Sequence, residues 1–244
     1  MTSSYRGRAG LNPHGSDYSP VALWQLNGNL LDSGPNGFTL TTETSGTGGE
    51  RYANIGNLQG FYLDGNTDLV YNALEPKLQI TGDVTVEFLA NIVALSVCTV
   101  IGTGDPGTDT DPNNNQLYTL SWNDSSSAGS SILWETGAGT DVKTQTTFSP
   151  SGICHIALVK SQGGTAVQLF CNGAPVAPAT SGLTAATGGS NSKLRIGADA
   201  SGSSSTVKAT GWICSVKVIA SALSSGQVKD EYNRTLGPVL GYLP

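Results

Sequence analysis

Two tryptophans stand beside polar groups: Trp122 precedes Asn123-Asp124-Ser125, and Trp134 precedes Glu135. A sugar site needs an apolar face to stack on and directional hydrogen-bonding groups beside it. Trp122, Asn123, Asp124, Trp134 and Glu135 are therefore the expected ligand-binding set. The most oxygen-rich stretch holds Asp105, Asp109, Asp111 and Asn113-Asn114-Asn115. Asp109-x-Asp111-x-Asn113 matches the start of a calcium loop. Asn114 stands where that loop needs Gly, however, and Leu120 where it needs Glu, so it is no EF-hand. It reads as a polar turn-forming loop, with a Ca²⁺ site or a contact surface as its functional alternatives.

Catalytic sets are hard to assemble. Glycoside hydrolysis needs two carboxyl groups flanking the scissile bond, and the strand-like run 84–91 offers Glu87 alone, as Glu135 stands alone before Thr136-Gly137. A Ser-His-Asp triad needs a positioned histidine, and the chain has two, His14 and His155. Cys154 lies beside His155, but neighbouring strand residues point to opposite faces, which disfavours a Cys-His dyad. No Cys-x-x-Cys pair occurs among Cys98, Cys154, Cys171 and Cys214, so zinc is not expected. The reading is a non-enzyme with no required cofactor.

The elements that must position these residues are strands. Residues 153–173, ICHIALVKSQGGTAVQLFCNG, are two apolar runs about a Ser-Gln-Gly-Gly turn, a hairpin pattern. A turn at Gln162-Gly163 sets Leu158 opposite Val167 and Cys154 opposite Cys171, where a bridge could form. A turn at Gly163-Gly164 sets Leu158 opposite Leu169. Either register gathers Cys154, Ile156, Leu158, Val167, Leu169 and Cys171 on one core face, and Asn172-Gly173 supplies the next tight turn. Residues 84–92 alternate with period two, one face for the core. Further strand-like runs fill residues 21–26, 60–64, 68–71, 97–102, 116–122, 131–135, 141–148, 193–197 and 207–219. The one helix expected is 225–233, capped by Ser224 with Gln227 completing a capping box. No internal repeat appears. The organisation is an extended arm at 1–20, one antiparallel sandwich at 21–235 and an apolar tail at 236–244.

His-Ile-Ala-Leu-Val-Lys and Val-Gln-Leu-Phe-Cys-Asn-Gly resemble the central hairpin of laminin-G-like, concanavalin A-like jelly rolls, although Ile153 and Cys154 stand where Trp and His are usual. Residues 23–26 with Leu31-Asp32-Ser33-Gly34-Pro35-Asn36-Gly37, Phe61-Tyr62-Leu63-Asp64-Gly65, and Leu194-Arg195-Ile196-Gly197 followed by Gly211-Trp212-Ile213 resemble the family in the expected order. The resemblance implies an all-β jelly-roll sandwich with one short C-terminal helix, and core positions for Trp24 and Trp212. It also implies a structural Ca²⁺ held by the Asp of the Asp-Ser-Gly turn, here Asp32, and an acid in the last strand. Cys214-Ser215 stand where that acid is usual. The alternate-position carboxylates of the family's glycosidases, Glu-x-Asp-x-(x)-Glu, are absent. His155 falls at a structural position. The fold hosts lectins, glycosidases, adhesion modules and virion parts, so it does not choose among them.

Composition narrows the setting. Only 12% of residues are charged, the net charge is −6, and Gly numbers 32; a typical domain carries about 25% charged residues. An acidic chain does not suit general nucleic-acid binding. No run is long enough to cross a membrane, and the first eight residues carry no apolar leader. A phage virion surface component, made in the host cytoplasm, reconciles these features. It would be a capsid decoration or tail adhesin contacting other virion subunits and host glycans. The alternatives are a free carbohydrate-binding lectin-like module and a glycosidase of the same fold. Tyr5, Leu11 and Tyr18 with Arg6 and Arg8 form the expected docking arm.

Overall fold

The computed structural model describes residues 19–44, 51–55, 58–71, 75–92, 98–105, 115–122, 132–138, 142–146, 152–176, 179–182, 194–198 and 209–235. The arm and the tail lie outside them. Two antiparallel sheets make the sandwich. The first holds β1 (Ala22–Trp24), β3 (Tyr52–Ile55), β4 (Leu58–Asp64), β6 (Val84–Ile92), β11 (Cys154–Ser161), β12 (Ala166–Cys171), β13 (Ala174–Pro175), β14 (Thr180–Ser181) and β16 (Thr210–Ile219). Its order is β13-β12-β11-β6-β16-β4-β3, with β1 also on β16 and β14 on β12. The second holds β2 (Thr41–Thr44), β5 (Thr67–Tyr71), β7 (Cys98–Asp105), β8 (Asn115–Trp122), β9 (Ile132–Ala138), β10 (Val142–Thr146) and β15 (Leu194–Ile196), in the order β10-β9-β8-β7-β15-β5-β2.

Of the two registers open for the central hairpin, the protein adopts the one that sets Leu158 opposite Leu169 and Ile156 opposite Cys171. The turn explains the choice. Gln162, Gly163 and Gly164 all take left-handed φ (56°, 69° and 90°), and Gly163 N–H donates to Asp83 Oδ1 at 2.8 Å. A Cβ on Gly164 would sit 2.4 Å from Thr81 O, so only glycine lets the connection before β6 close over the turn. This register leaves Cys154 and Cys171 diagonal rather than directly opposed; both are buried thiols outside any disulfide.

The expected core face is buried: Cys154, Ile156, Leu158, Val167, Leu169 and Cys171 join Trp24, Phe61, Phe88 and Leu120 in one cluster between the sheets. Each large apolar side chain so buried stabilises by about 1.5–3 kcal/mol. Trp24 anchors the cluster and donates its indole N–H to Phe38 O.

One expectation is corrected. The alternating strand β6 is buried on both faces, with Thr85, Glu87 and Leu89 as enclosed as Val84, Val86 and Phe88. The reason is α1 (Ser225–Thr235), which packs on the outer side of the first sheet. Val228 and Leu223 cover Ala157, Val159, Phe170 and Ile219 there. Ser224 caps α1 as expected: its N–H donates to Gln227 Oε1 at 2.6 Å, while Gln227 N–H reaches Ser224 Oγ at 3.4 Å. The loop ahead of α1 is pinned by Thr85, whose hydroxyl donates to Ser221 O and accepts from Leu223 N–H.

Candidate functional site

Strand alternation builds an aromatic pair on the outer face of the first sheet. Phe61, Leu63 and Ile213 are fully buried between the sheets, so Tyr62 and Trp212, one step away in sequence, project outward. The β4–β16 register sets Tyr62 directly opposite Trp212, and the β6–β16 register sets Asn91 opposite Trp212 on the other side. The rings lie 4.5 Å apart, tilted by 44°, and all three residues are partly exposed. The expectation of Trp212 as core is thus overturned, because its parity on β16 is the outer one. The sequence signal was the alternation itself: in Phe61-Tyr62-Leu63 and Gly211-Trp212-Ile213 the amphipathic ring sits between two inward residues. The turn after β4 is fixed by Asp64, which accepts from Asn66 and Thr67 N–H at 2.9 and 2.8 Å. Burial pushes its carboxyl up, but those bonds and the nearby Arg51 outweigh it and hold the group below its ordinary range.

A second polar cluster lies beneath α1. Glu87 on β6, His155 on β11 and Lys217 on β16 are brought together by adjacent registers. Lys217 Nζ lies 3.6 Å from Glu87 Oε2 and 2.6 Å from Glu231 Oε2 of α1, and Arg234 pairs with the other oxygen of Glu231. His155 Nε2 lies 3.8 Å from Glu87 Oε1. Both Glu87 oxygens and both His155 ring nitrogens lack a hydrogen bond. Burial raises the Glu87 carboxyl, opposed by Lys217. Burial, then Lys217, depresses His155 to about 4. Glu87 read as solitary in the sequence; only strand pairing supplies its partners.

Backbone pairing places the residues expected to bind sugar. Trp122 pairs with Ile132, Trp134 with Leu120 and Glu135 with Thr119. Both tryptophan positions thus share the parity of Leu120, a core residue, and Glu135 takes the opposite one. Asn123 and Asp124 lie outside the described residues, as do Asp109, Asp111, Tyr5, Arg6, Arg8, Leu11 and Tyr18. Asp105 ends β7, paired with Asn115. Asp32 spends its carboxylate on backbone donors: Oδ1 accepts from Leu23 and Gly34 N–H at 2.9 and 2.6 Å, and Oδ2 from Phe38 N–H at 3.0 Å. Those three bonds tighten the turn. Cys214, near the family's second acid position, packs in an apolar cluster with Leu89. Among the described residues no group of three or more His, Cys, Asp or Glu is set to hold a metal.

Residues 64–229 match the family model described as the concanavalin A-like lectin/glucanases superfamily, of laminin-G type. No curated protein sequence matches significantly. Among solved structures, domain 4 of AbnA, a GH43 extracellular arabinanase from Geobacillus stearothermophilus in complex with arabinotriose, is similar. Its TM-score is 0.60 at 16% identity, over 87% of this chain and 97% of that one. The receptor binding domain of botulinum neurotoxin C/D mosaic serotype gives a TM-score of 0.63 at 14% identity, over 89% of this chain. The binding domain of Paraclostridial Mosquitocidal Protein 1 gives 0.64 at 12%, over 88%. The chain spans only 52% of either toxin domain. At these identities the likeness is one of fold.

Proposed function

The chain belongs to the concanavalin A-like lectin/glucanase superfamily, and on that premise we propose that it is a non-catalytic module that binds a glycan on the outer face of its first sheet. The observation that carries this reading is the partly exposed Tyr62–Trp212 pair with Asn91 beside it. Aromatic faces stack on the C–H face of a pyranose or furanose ring, and an amide reads hydroxyls. Support also comes from Glu87, a candidate acid that is 3% exposed beneath α1 and so shut off from a glycosidic bond. The solved structures of similar fold include a domain in complex with arabinotriose and a receptor binding domain. For the setting we propose a virion surface component, supported by the charge-poor, Gly-rich composition, with residues 1–20 as the arm that docks it on other subunits.

The test is a glycan array followed by calorimetry, with arabinotriose among the first probes. Trp212→Ala and Tyr62→Ala should each weaken binding about tenfold or more, near 1.4 kcal/mol, with the β-sheet circular dichroism unchanged. Binding that survives both changes and is lost on Trp122→Ala or Trp134→Ala would move the site to the second sheet. Release of reducing sugar would overturn the non-catalytic reading.

A further inference from the structure

The ionic cluster beneath α1 joins three strands of one sheet to a single short helix, and it holds the most enclosed charges among the described residues of that face. Glu87 is 3%, His155 2% and Glu231 2% exposed. The ion pairs from sheet to helix run through Lys217, which reaches Glu87 on one side and Glu231 on the other. The groups facing the His155 imidazole are Glu87 from β6, Lys217 from β16 and Tyr232 from α1; Glu231 and Arg234 of α1 complete the cluster through Lys217. The Tyr232 ring lies 6.1 Å from the imidazole, and Lys229 and Asp230 are on the exposed side of the helix. Neither ring nitrogen has an acceptor at hydrogen-bond distance, so a proton arriving there would add a second cation beside Lys217 in an enclosed space, with the Glu87 carboxylate at 3.8 Å its counter-charge but no hydrogen bond to hold it.

We propose that α1 is an acid-released clasp, docked on the sheet while His155 is neutral and freed when that imidazole is protonated, uncovering the apolar strip of Ala157, Val159, Phe170 and Ile219. The sign follows from linkage. Docked, His155 titrates near 4; undocked, it sheds the burial that is the larger cause and rises toward the ordinary 6.5. The undocked state therefore binds the proton more readily, and docking weakens as pH falls from about 6.5 toward 4, with no further loss from this group below that. Glu87, whose carboxyl is raised, acts with the opposite sign: its protonation removes a buried anion and favours docking. The two effects are separable by substitution.

The experiment is hydrogen exchange on the full chain, corrected for intrinsic rates. Amides of residues 228–235 should lose roughly 100-fold in protection between pH 6.5 and 4, while β6 and β16 keep theirs. In His155→Phe that loss should vanish; in Glu87→Gln it should persist or deepen. The clasp is overturned if α1 and the strands lose protection together, or if His155→Phe shows the same fall as the unaltered chain. Should His155→Phe not fold, His14→Gln leaves one imidazole to follow by NMR. A His155 midpoint near 4 that coincides with α1 release supports the clasp, and a midpoint near 6.5 with α1 still protected refutes it.

Discussion

Single residues show how strongly local chemistry is tied to the tertiary contact it meets. Gly164 combines a left-handed φ with a backbone oxygen 2.4 Å from where a Cβ would sit. Gly164→Ala should therefore cost about 2–4 kcal/mol, measured by urea unfolding, against a near-neutral Gly82→Ala control, which stands in open space without a left-handed φ. Asp32 serves three backbone N–H groups, so Asp32→Ala should cost about 2–4 kcal/mol by urea unfolding. Lys160 is fully buried with Nζ at 3.3 Å from Ile80 O, and burial depresses it to about 8, partly offset by Asp83. Its folded pKa lies below the ordinary 10.5, so the unfolded chain holds the proton more tightly across that window. Stability should rise from pH 8 to 10.5, by up to about 3 kcal/mol from this group. Lys160→Met should flatten that rise and be neutral or stabilising at pH 7.

At the scale of elements, the central hairpin and α1 each show local and global preferences agreeing. The β11–β12 pair presents apolar side chains to the inter-sheet core, so Leu158→Ala or Leu169→Ala should cost about 2–5 kcal/mol by denaturant unfolding. The same two strands are apolar on their other face, at Ala157, Val159 and Phe170, because a helix must cover them. Removing the cap by Ser224→Ala should cost about 1 kcal/mol and raise exchange in α1 before it raises exchange in the strands.

For the whole molecule, the two faces of the first sheet and its covering helix decide which chemistry is reachable. Carboxylates and the imidazole are sealed beneath α1, while an aromatic pair at the β4–β16 junction stays open. If the proposed virion role holds, deleting residues 1–20 should leave the sandwich's melting temperature nearly unchanged and abolish incorporation into particles, measured by gel analysis of purified assemblies. Full incorporation of the truncated chain would leave the arm without that role.

Alternation, turn residues and the Ser224–Gln227 capping box were enough to read strands, the hairpin, its core face and the C-terminal helix, because these depend on neighbours within a few residues. Four motifs in order carried the family. Strand pairing decided the rest. The hairpin register rested on Asp83 and Thr81, some 80 positions from the turn they hold. Glu87 looked solitary until β11 and β16 set His155 and Lys217 beside it. Trp212 looked like core until its parity on β16 put it outside, against Tyr62, 150 residues earlier in the chain. Which face of a strand is covered, and by what, is a property of packing between distant segments, and alternation along one strand does not contain it.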